Sequence, residues 1–238
     1  MLQITFNHYI FHIATVTPDW EPYDSNDKSE FPHPVHHHPM AVSLLQLRDD
    51  DAEPDVQVKV ISKGISDLKK EERGLVRTFF QKVPGNVNSL VSFNGRSFAI
   101  PVMVYRALHH GVDATKYLQE AGGLFGRSPS STPHIDLSES LSGYGAMYKS
   151  ASLSNYAMML GLSKRPYLDV SQAFSSGNVN SIVMRLEVDV LITAIIYYRL
   201  LLSQGWDRKA YEKTLNSTLE AYAQRNELAE NYILESKL

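Results

Sequence analysis

The chain contains no cysteine and has no excess of basic residues. The missing cysteines exclude disulfide bonds, cysteine-ligated zinc and cysteine nucleophiles, but they do not fix the compartment. Lysine and arginine number 23 against 26 aspartates and glutamates, which gives a formal net charge of -3 at pH 7. This balance excludes a strongly basic nucleic-acid binder, so any contact with nucleic acid must come from a local patch.

Long uncharged apolar runs are also missing from the sequence. The most apolar stretch, residues 182–202, contains Arg185, Glu187, Asp189 and Arg199, and charges of this kind argue against a membrane span. The first residues lack the basic start and apolar core of a secretory signal. We therefore expect a cytoplasmic protein without a membrane partner.

Apolar patterns in the first third of the chain predict strands and one helix. Residues 9–16 have the composition of a buried strand, and 40–47 and 56–62 alternate as the two strands of a hairpin. Residues 17–39, which connect the first strand to the hairpin, are rich in Pro, Asp, Ser and His, and this composition predicts an exposed loop. Residues 69–83 are amphipathic and predict a helix with Leu75, Phe79 and Phe80 facing inward.

The stretch 89–108 organises the rest of the prediction. A short apolar strand, 90–93, is followed by Asn94-Gly95 and then by a helix with Ile100, Val104 and Leu108 on one stripe. Open α/β sheets place their ligand sites where a strand ends and a helix begins. We therefore expect functional side chains at this turn.

The second half alternates less regularly. Residues 121–133 form a Gly/Ser/Pro-rich loop, 134–137 a short strand and 152–160 a helix. A long, buried helix is predicted over 178–204, and a last amphipathic helix runs from Asp207 towards Leu234. The order of elements favours an α/β sheet with helices on its faces.

Several segments, in the right order, resemble one protein family. They are Phe11-His-Ile-Ala14, His37 to Ser43, Asn94-Gly-Arg-Ser-Phe-Ala-Ile-Pro101, His134-Ile-Asp-Leu137 with Leu141-Ser-Gly-Tyr-Gly145, and Arg185-Leu-Glu-Val-Asp-Val190. They are similar to motifs of the predicted 3′–5′ exonucleases related to the proofreading domain of family-B DNA polymerases, in the DEDD superfamily. The resemblance implies a ribonuclease H-like fold, with a mixed sheet flanked by helices, over residues 1–205. It leaves 206–238 as a C-terminal helix that packs on this domain or extends from it.

The same resemblance implies that the catalytic centre has been lost. Such exonucleases hold two Mg²⁺ or Mn²⁺ ions about 3.5–4 Å apart, and hard cations need several carboxylate oxygens. The family's acidic positions and its tyrosine correspond here to His12, Ala14, Ala99, Arg185 and Asp189. Only Asp189 is acidic, so we expect no catalytic residue and no metal cofactor.

A replacement for the metals is also predicted. Arg185 and Asp189 are four residues apart on a helix and can form an ion pair, and His12 is expected to donate a further hydrogen bond to this cluster. The alternative is an Arg185 that points to solvent or to a nucleic-acid phosphate. The pair is favoured because a buried carboxylate is rarely left without a partner.

Polar residues that follow the predicted strand 90–93 indicate that the chain binds single-stranded nucleic acid. Asn94 and Arg96 match the family motif, and Arg106 lies on the helix beyond. Phosphate contacts from Arg and Lys are what such binding requires. A basic stretch lies nearby in the sequence and consists of Lys63, Lys69, Lys70, Arg73 and Arg77. Its simpler interpretation is an ordinary solvated surface.

Three functions follow from these patterns. The first is a catalytically degenerate exonuclease-like module that binds nucleic acid, a protein partner or both, in a larger nucleic-acid-processing complex. The second is an active Mg²⁺- or Mn²⁺-dependent 3′–5′ exonuclease with a site rebuilt from Asp189, Glu187, Asp136 and histidines. The third is a scaffold that docks a protein partner through residues 207–238.

A histidine-rich segment is a separate candidate for metal binding. His33, His36, His37 and His38 could ligate zinc or copper. A solvated loop is the favoured interpretation, because ligands need a fixed geometry that a loop lacks.

Overall fold

The computed structural model of the chain describes residues 7–18, 32–50, 53–83, 89–120, 134–147 and 150–238. The predicted loop over 121–133 lies outside these ranges, as do residues 19–31 of the loop predicted over 17–39.

A five-stranded mixed sheet forms the centre of the molecule. Its strands are β1 (Asn7–Val16), β2 (His38–Asp50), β3 (Glu53–Gly64), β4 (Ser89–Ser92) and β5 (His134–Asp136). The spatial order is β3-β2-β1-β4-β5. β1, β2 and β3 form an antiparallel meander, whereas β4 pairs parallel with β1 and β5 parallel with β4. The predicted hairpin and mixed sheet are confirmed, with both hairpin strands longer than predicted.

Helices cover both faces of this sheet. They are α1 (Leu68–Lys82), α2 (Ile100–His110), α3 (Thr115–Glu120), α4 (Leu137–Leu141), α5 (Leu153–Met159), α6 (Val170–Ser175), α7 (Val179–Ser203), α8 (Arg208–Ala223) and α9 (Glu227–Glu235). A 3₁₀ turn, Pro34–His36, precedes β2, and a π-helical turn, Gly95–Ala99, leads from β4 into α2.

The alternation of side chains along the strands divides the core into two clusters. Phe11 and Leu44 lie in one cluster with residues of α1 and α2. Ile10 and Leu45, their immediate neighbours, lie in the other with residues of α7, α8 and α9. Because successive residues of a strand point to opposite faces of the sheet, β1 and β2 each contribute side chains to both clusters.

α7 is the long buried helix that the sequence predicts. It contacts β1, β2 and β3, and its Tyr197 and Tyr198 are buried in the core, as expected. The close approach at its first turns requires Gly64, at the end of β3. A Cβ atom there would lie 2.5 Å from Cγ1 of Val179 and 2.8 Å from Cγ2 of Val183.

Three details of the prediction are wrong. The single helix predicted after Asp207 is two helices, α8 and α9, separated at residues 224–226. Asn226 caps α9 by accepting a hydrogen bond from Ala229 N at 3.2 Å, which is the usual role of asparagine at a helix start. Leu108 is 71% exposed and is not part of the buried stripe of α2. The histidine segment is not a solvated loop throughout, since His37 and His38 are buried at the start of β2.

Candidate functional site

The positions that the sequence assigns to the former catalytic centre lie on three elements. His12 and Ala14 are on β1, Ala99 ends the π-helical turn, and Arg185 and Asp189 are on α7. Ala14 and Ala99 are buried in the same apolar cluster. The pairing of β1 with β2 is irregular between Ala14 and Thr15, a feature often found beside active sites.

The Asp189 carboxylate is bound by two arginines. Arg165 donates a bidentate pair of hydrogen bonds to it, from Nε to Oδ1 at 2.7 Å and from Nη2 to Oδ2 at 2.6 Å. Arg185 Nη1 lies 2.5 Å from Oδ1, and Arg185 Nε donates to the carbonyl oxygen of Pro166. The structure therefore contains the ion pair expected of Arg185 and Asp189, with Arg165 as a further partner.

The electrostatics of this cluster favour the ionised carboxylate. Burial alone would raise the pKa of Asp189, but the hydrogen bond from Arg165 and the positive charges of Arg185 and Arg165 lower it overall. Burial likewise would lower the pKa of Arg165, whereas Asp189 raises it. Two cations therefore face one anion, and the cluster carries a formal charge of about +1.

His12 lies beside this cluster but does not bind the Asp189 side chain. Its Nε2 is 2.7 Å from Oγ1 of Thr193, and that hydroxyl donates to the backbone carbonyl of Asp189 at 2.8 Å. The hydroxyl hydrogen is thus committed, so Nε2–H of His12 is the donor to Thr193. Burial lowers the pKa of His12 to about 4; the charge of Asp189 opposes this shift, and the two arginines add to it. The predicted bond into the ion-pair cluster is therefore wrong, because a neutral His12 fixes the backbone of α7 instead.

The sequence did not indicate Arg165. It lies in the non-helical stretch between α5 and α6, where no periodic pattern shows which way a side chain faces. The one hint in the sequence is that the buried Asp189 has a single predicted partner, Arg185. A carboxylate is bound most favourably by a bidentate arginine, so a second arginine was to be expected.

The donor set at this site does not fit two divalent cations. A two-metal centre requires several carboxylate oxygens, whereas both oxygens of Asp189 already accept from guanidinium groups. Across the residues that the structure describes, no group of three His, Cys, Asp or Glu side chains could hold a metal ion.

The other two acidic residues of the rebuilt-site alternative, Asp136 and Glu187, bind groups elsewhere in the structure. Asp136 accepts backbone hydrogen bonds from Asn94 at 2.9 Å, from Arg96 at 2.9 Å and from Ser138 at 3.0 Å. It thereby fixes the turn after β4 and the start of α4.

Glu187 faces the C-terminal helices rather than Asp189. It accepts from Arg225 Nε at 2.7 Å and from Asn226 Nδ2 at 2.9 Å. Both contacts lie at the break between α8 and α9.

The three nucleic-acid candidates are not brought together. Asn94 adopts a left-handed conformation with φ 60°, and its Oδ1 accepts from Ser97 Oγ at 2.6 Å. Arg96 Nη1 lies 3.5 Å from Glu139 Oε2. Asn94 and Arg96 both follow the carboxyl end of β4, where the sequence predicts them.

Arg106 has a different role from the one expected. It is 5% exposed. It donates hydrogen bonds to Glu72 of α1, from Nε to Oε1 at 2.8 Å and from Nη2 to Oε2 at 2.7 Å. His110 Nε2, at 2.8 Å, and His38 Nδ1, at 3.1 Å, also contact Glu72. Burial would raise the pKa of Glu72, but the hydrogen bonds from these three side chains lower it to about 2. Arg106 therefore joins α1 to α2 and does not present its charge to a phosphate.

His37 and His38 likewise have structural contacts. His37 Nδ1 lies 2.9 Å from Thr15 Oγ1, and its Nε2 lies 3.1 Å from the carbonyl oxygen of Pro32. The basic stretch over 63–77, in contrast, is exposed at each of its five Lys and Arg side chains.

Fold and site positions together define an exonuclease-like domain. The chain belongs to the family of predicted 3′-5′ exonucleases related to the exonuclease domain of PolB, whose profile matches residues 29–235. That match includes the whole of both C-terminal helices, α8 and α9.

One solved structure with a similar fold is the family B DNA polymerase from the hyperthermophilic archaeon Pyrobaculum calidifontis. The two are 16% identical with a TM-score of 0.52, and the similarity covers 92% of this chain and 29% of the polymerase chain. At this identity the similarity shows the fold alone, and it confirms the predicted ribonuclease H-like class. No curated protein matches the chain. Among the helices that the structure describes, none has the length and apolar character needed to cross a membrane.

Proposed function

We propose that this chain is a catalytically degenerate 3′–5′ exonuclease-like module that binds single-stranded nucleic acid, within a nucleic-acid-processing complex. The observation that carries the proposal is the double engagement of Asp189 by Arg165 and Arg185. Cleavage in this family depends on carboxylates that bind metal ions, and here the remaining carboxylate binds arginines.

The charge of the site supports binding without cleavage. A cluster of carboxylates repels the phosphate backbone unless metal ions are bound, whereas the Arg165–Asp189–Arg185 cluster has a net positive charge without them. Exposed Lys and Arg side chains of α1 and β3 add local positive charge to a chain whose overall charge is negative. Such contacts supply affinity that does not depend on base sequence.

A degradation assay tests the loss of cleavage. Single-stranded DNA and RNA labelled at the 5′ end are incubated with the purified chain and Mg²⁺ or Mn²⁺, and we expect full-length product throughout. Trimming that disappears in Asp189→Asn would overturn the proposal and support the rebuilt-nuclease alternative.

Binding is tested separately by fluorescence anisotropy with a labelled single strand. We expect affinity to fall steeply between 50 and 200 mM salt, as expected when several phosphates are neutralised. An absence of binding at 50 mM salt would contradict the nucleic-acid part of the proposal.

A protein partner at the C-terminal helices is a second candidate, favoured by two exposed apolar side chains there. Leu234 of α9 is 75% exposed and Leu238 is 44% exposed. If these residues dock a partner, Leu234→Asp reduces co-purification of the complex while leaving single-strand affinity unchanged.

A further inference from the structure

A small cavity opens beside the Arg165–Asp189–Arg185 cluster. Its volume is about 250 Å³, and it lies between the segment that precedes α6, the first turns of α7 and the edge of α9. Arg185 and Ser181 provide polar groups, whereas Leu168, Met184 and Leu228 form apolar walls. A cavity of mainly apolar surface with a few polar groups is the usual form of a small-ligand site.

The lining of this cavity carries a positive charge. Arg185 lines it, and none of the residues that line it within the described ranges is acidic. Arg165 shares the Asp189 carboxylate with Arg185, and its side chain is 38% exposed, against 10% for Arg185 and 5% for Asp189. The Arg165 side chain is therefore the most accessible of the three to an anion that approaches from solvent.

An aromatic ring lines the same cavity. Tyr167 is 89% exposed and lies two residues after Arg165. A single exposed aromatic residue is common on protein surfaces. An exposed ring and an arginine that line the same apolar cavity have the arrangement that single-strand-binding proteins use, with the base stacked on the ring and the phosphate at the cation.

We propose that this cavity, the Tyr167–Arg185 pocket, binds one nucleotide of a single strand, with its phosphate ester at Arg165 and Arg185 and its base against Tyr167. The inference deepens the proposed function and rests on it. It assigns the two arginines a second role, because the groups that neutralise Asp189 also supply the surplus charge that attracts phosphate. Bidentate arginine is well suited to both anions.

The pocket is tested by anisotropy with labelled oligothymidylate at 50 mM salt, on the full chain. Tyr167→Ala is expected to weaken binding about tenfold, as loss of a stacked base does. Tyr167→Phe, the matched control, keeps the ring and should retain the affinity. Arg165→Gln is expected to weaken binding and to lower the slope of log K against log salt by about 0.7, the value for one phosphate contact on a single strand. Arg165→Lys should restore most of that slope.

Two further arms distinguish the source of the phosphate. A circular single strand that binds as tightly as the linear one indicates an internal phosphate, whereas weaker binding of the circle indicates a terminal one. Thymidine monophosphate that competes in a Tyr167-dependent way indicates that a free nucleotide also fits.

The result that overturns the inference differs from the one that overturns the proposed function. If the native chain binds oligothymidylate and neither Tyr167→Ala nor Arg165→Gln changes the affinity, the pocket is not the site, and binding occurs elsewhere. Arg96→Ala and Arg73→Ala, measured in parallel, then locate it. If the native chain does not bind at all, the proposed function fails with the pocket. Thermal unfolding of each variant checks that a loss of affinity is not a loss of fold.

Discussion

Asp189 is buried at 3% exposure, and it keeps its charge because two guanidinium groups replace the solvent. A buried carboxylate without a partner would cost several kcal/mol or would take up a proton. The two arginines reach it from different elements, Arg185 from its own helix and Arg165 from the segment before α6. The ion pairs therefore also fix that segment to α7.

Because each arginine compensates for the loss of the other, their removal should not be additive. Arg165→Met alone is expected to lower the free energy of unfolding by about 1 kcal/mol, since Arg185 still binds Asp189. Arg165→Met with Arg185→Met should cost about 3–5 kcal/mol, more than the two single losses together, because the carboxylate is then buried without a partner.

Urea unfolding at pH 7 measures this cycle. Adding Asp189→Leu to the double variant should recover most of the loss, and Arg208→Met, which breaks an exposed pair of 3.8 Å with Glu212, serves as the surface control. Additive single losses would show that the two arginines act independently.

A second prediction concerns the restoration of cleavage. The changes His12→Asp, Ala14→Glu, Ala99→Asp and Arg185→Tyr return the family's residues, but they leave Arg165 across both oxygens of Asp189. We expect this fourfold variant to stay inactive.

The fivefold variant, which adds Arg165→Ala, is the one expected to trim a 5′-labelled single strand in the presence of Mg²⁺. Product length on a denaturing gel is the measurement. Equal activity of the fourfold and fivefold variants would show that Arg165 does not block the site.

At the scale of elements, buried neutral histidines join the central strands to their neighbours. His8 of β1 has Nδ1 2.8 Å from the hydroxyl of Tyr197, and His134 of β5 has Nε2 2.8 Å from Ser92 Oγ. Burial lowers the pKa of His8 to about 4 and that of His134 to about 3. His12 of β1 likewise joins its strand to α7 through an imidazole that burial keeps uncharged.

These histidines predict a loss of stability in mild acid. Their pKa values in the folded chain lie below the unfolded value of about 6.5, so the unfolded chain binds more protons between pH 6.5 and 4. The contribution of these histidines to the free energy of unfolding should therefore be constant above pH 7. It should fall as the pH decreases from 6.5, by about 1.4 kcal/mol per pH unit for each histidine once the pH is well below 6.5.

Urea unfolding at pH 7.5, 6.0 and 5.0 tests this dependence. His8→Gln should reduce the slope by about one histidine's share, and a slope that does not change would contradict the assignment. Glu72, whose pKa is lowered to about 2, acts in a separate window. Its contribution is lost only as pH falls from about 4.5 towards 2.

The elements also show what sequence patterns reveal and what they do not. Strand alternation and helical periodicity predicted β1, β2, α1 and α7 because each buries one face or is buried throughout. Arg165 and the pairing of Arg106 with Glu72 were missed, since polar contacts between distant segments leave no periodic signal. The break before Asn226 had a local signal, an asparagine followed by an acidic residue, but the continuous amphipathic pattern of 208–234 obscured it.

For the whole molecule, the C-terminal helices are part of the second core cluster. Tyr211, Leu215, Tyr222 and Tyr232 are buried within it, and α8 also contacts β3. The sequence predicts a domain over residues 1–205 and a C-terminal helix over 206–238 that packs on it or extends from it.

We expect that removal of 206–238 exposes this cluster and abolishes cooperative unfolding. Near-UV circular dichroism and urea unfolding of the shortened chain measure the effect. Leu234→Ser, at a 75% exposed position, is the control and should unfold like the native chain. Cooperative unfolding of residues 1–205 would instead establish the last helices as a separate unit.

The absence of a side chain at Gly64 has a consequence for the Arg165–Asp189–Arg185 cluster. α7 rests directly against the tip of β3 only because position 64 has no methyl group, and Arg185 and Asp189 follow within two turns of that point. An alanine there would have to displace Val179 and Val183, and a shift of these first turns of α7 would move Asp189 relative to Arg165. The spacing between the Arg165 guanidinium and the Asp189 carboxylate thus depends on a residue that touches neither, and comparisons restricted to charged positions would overlook it.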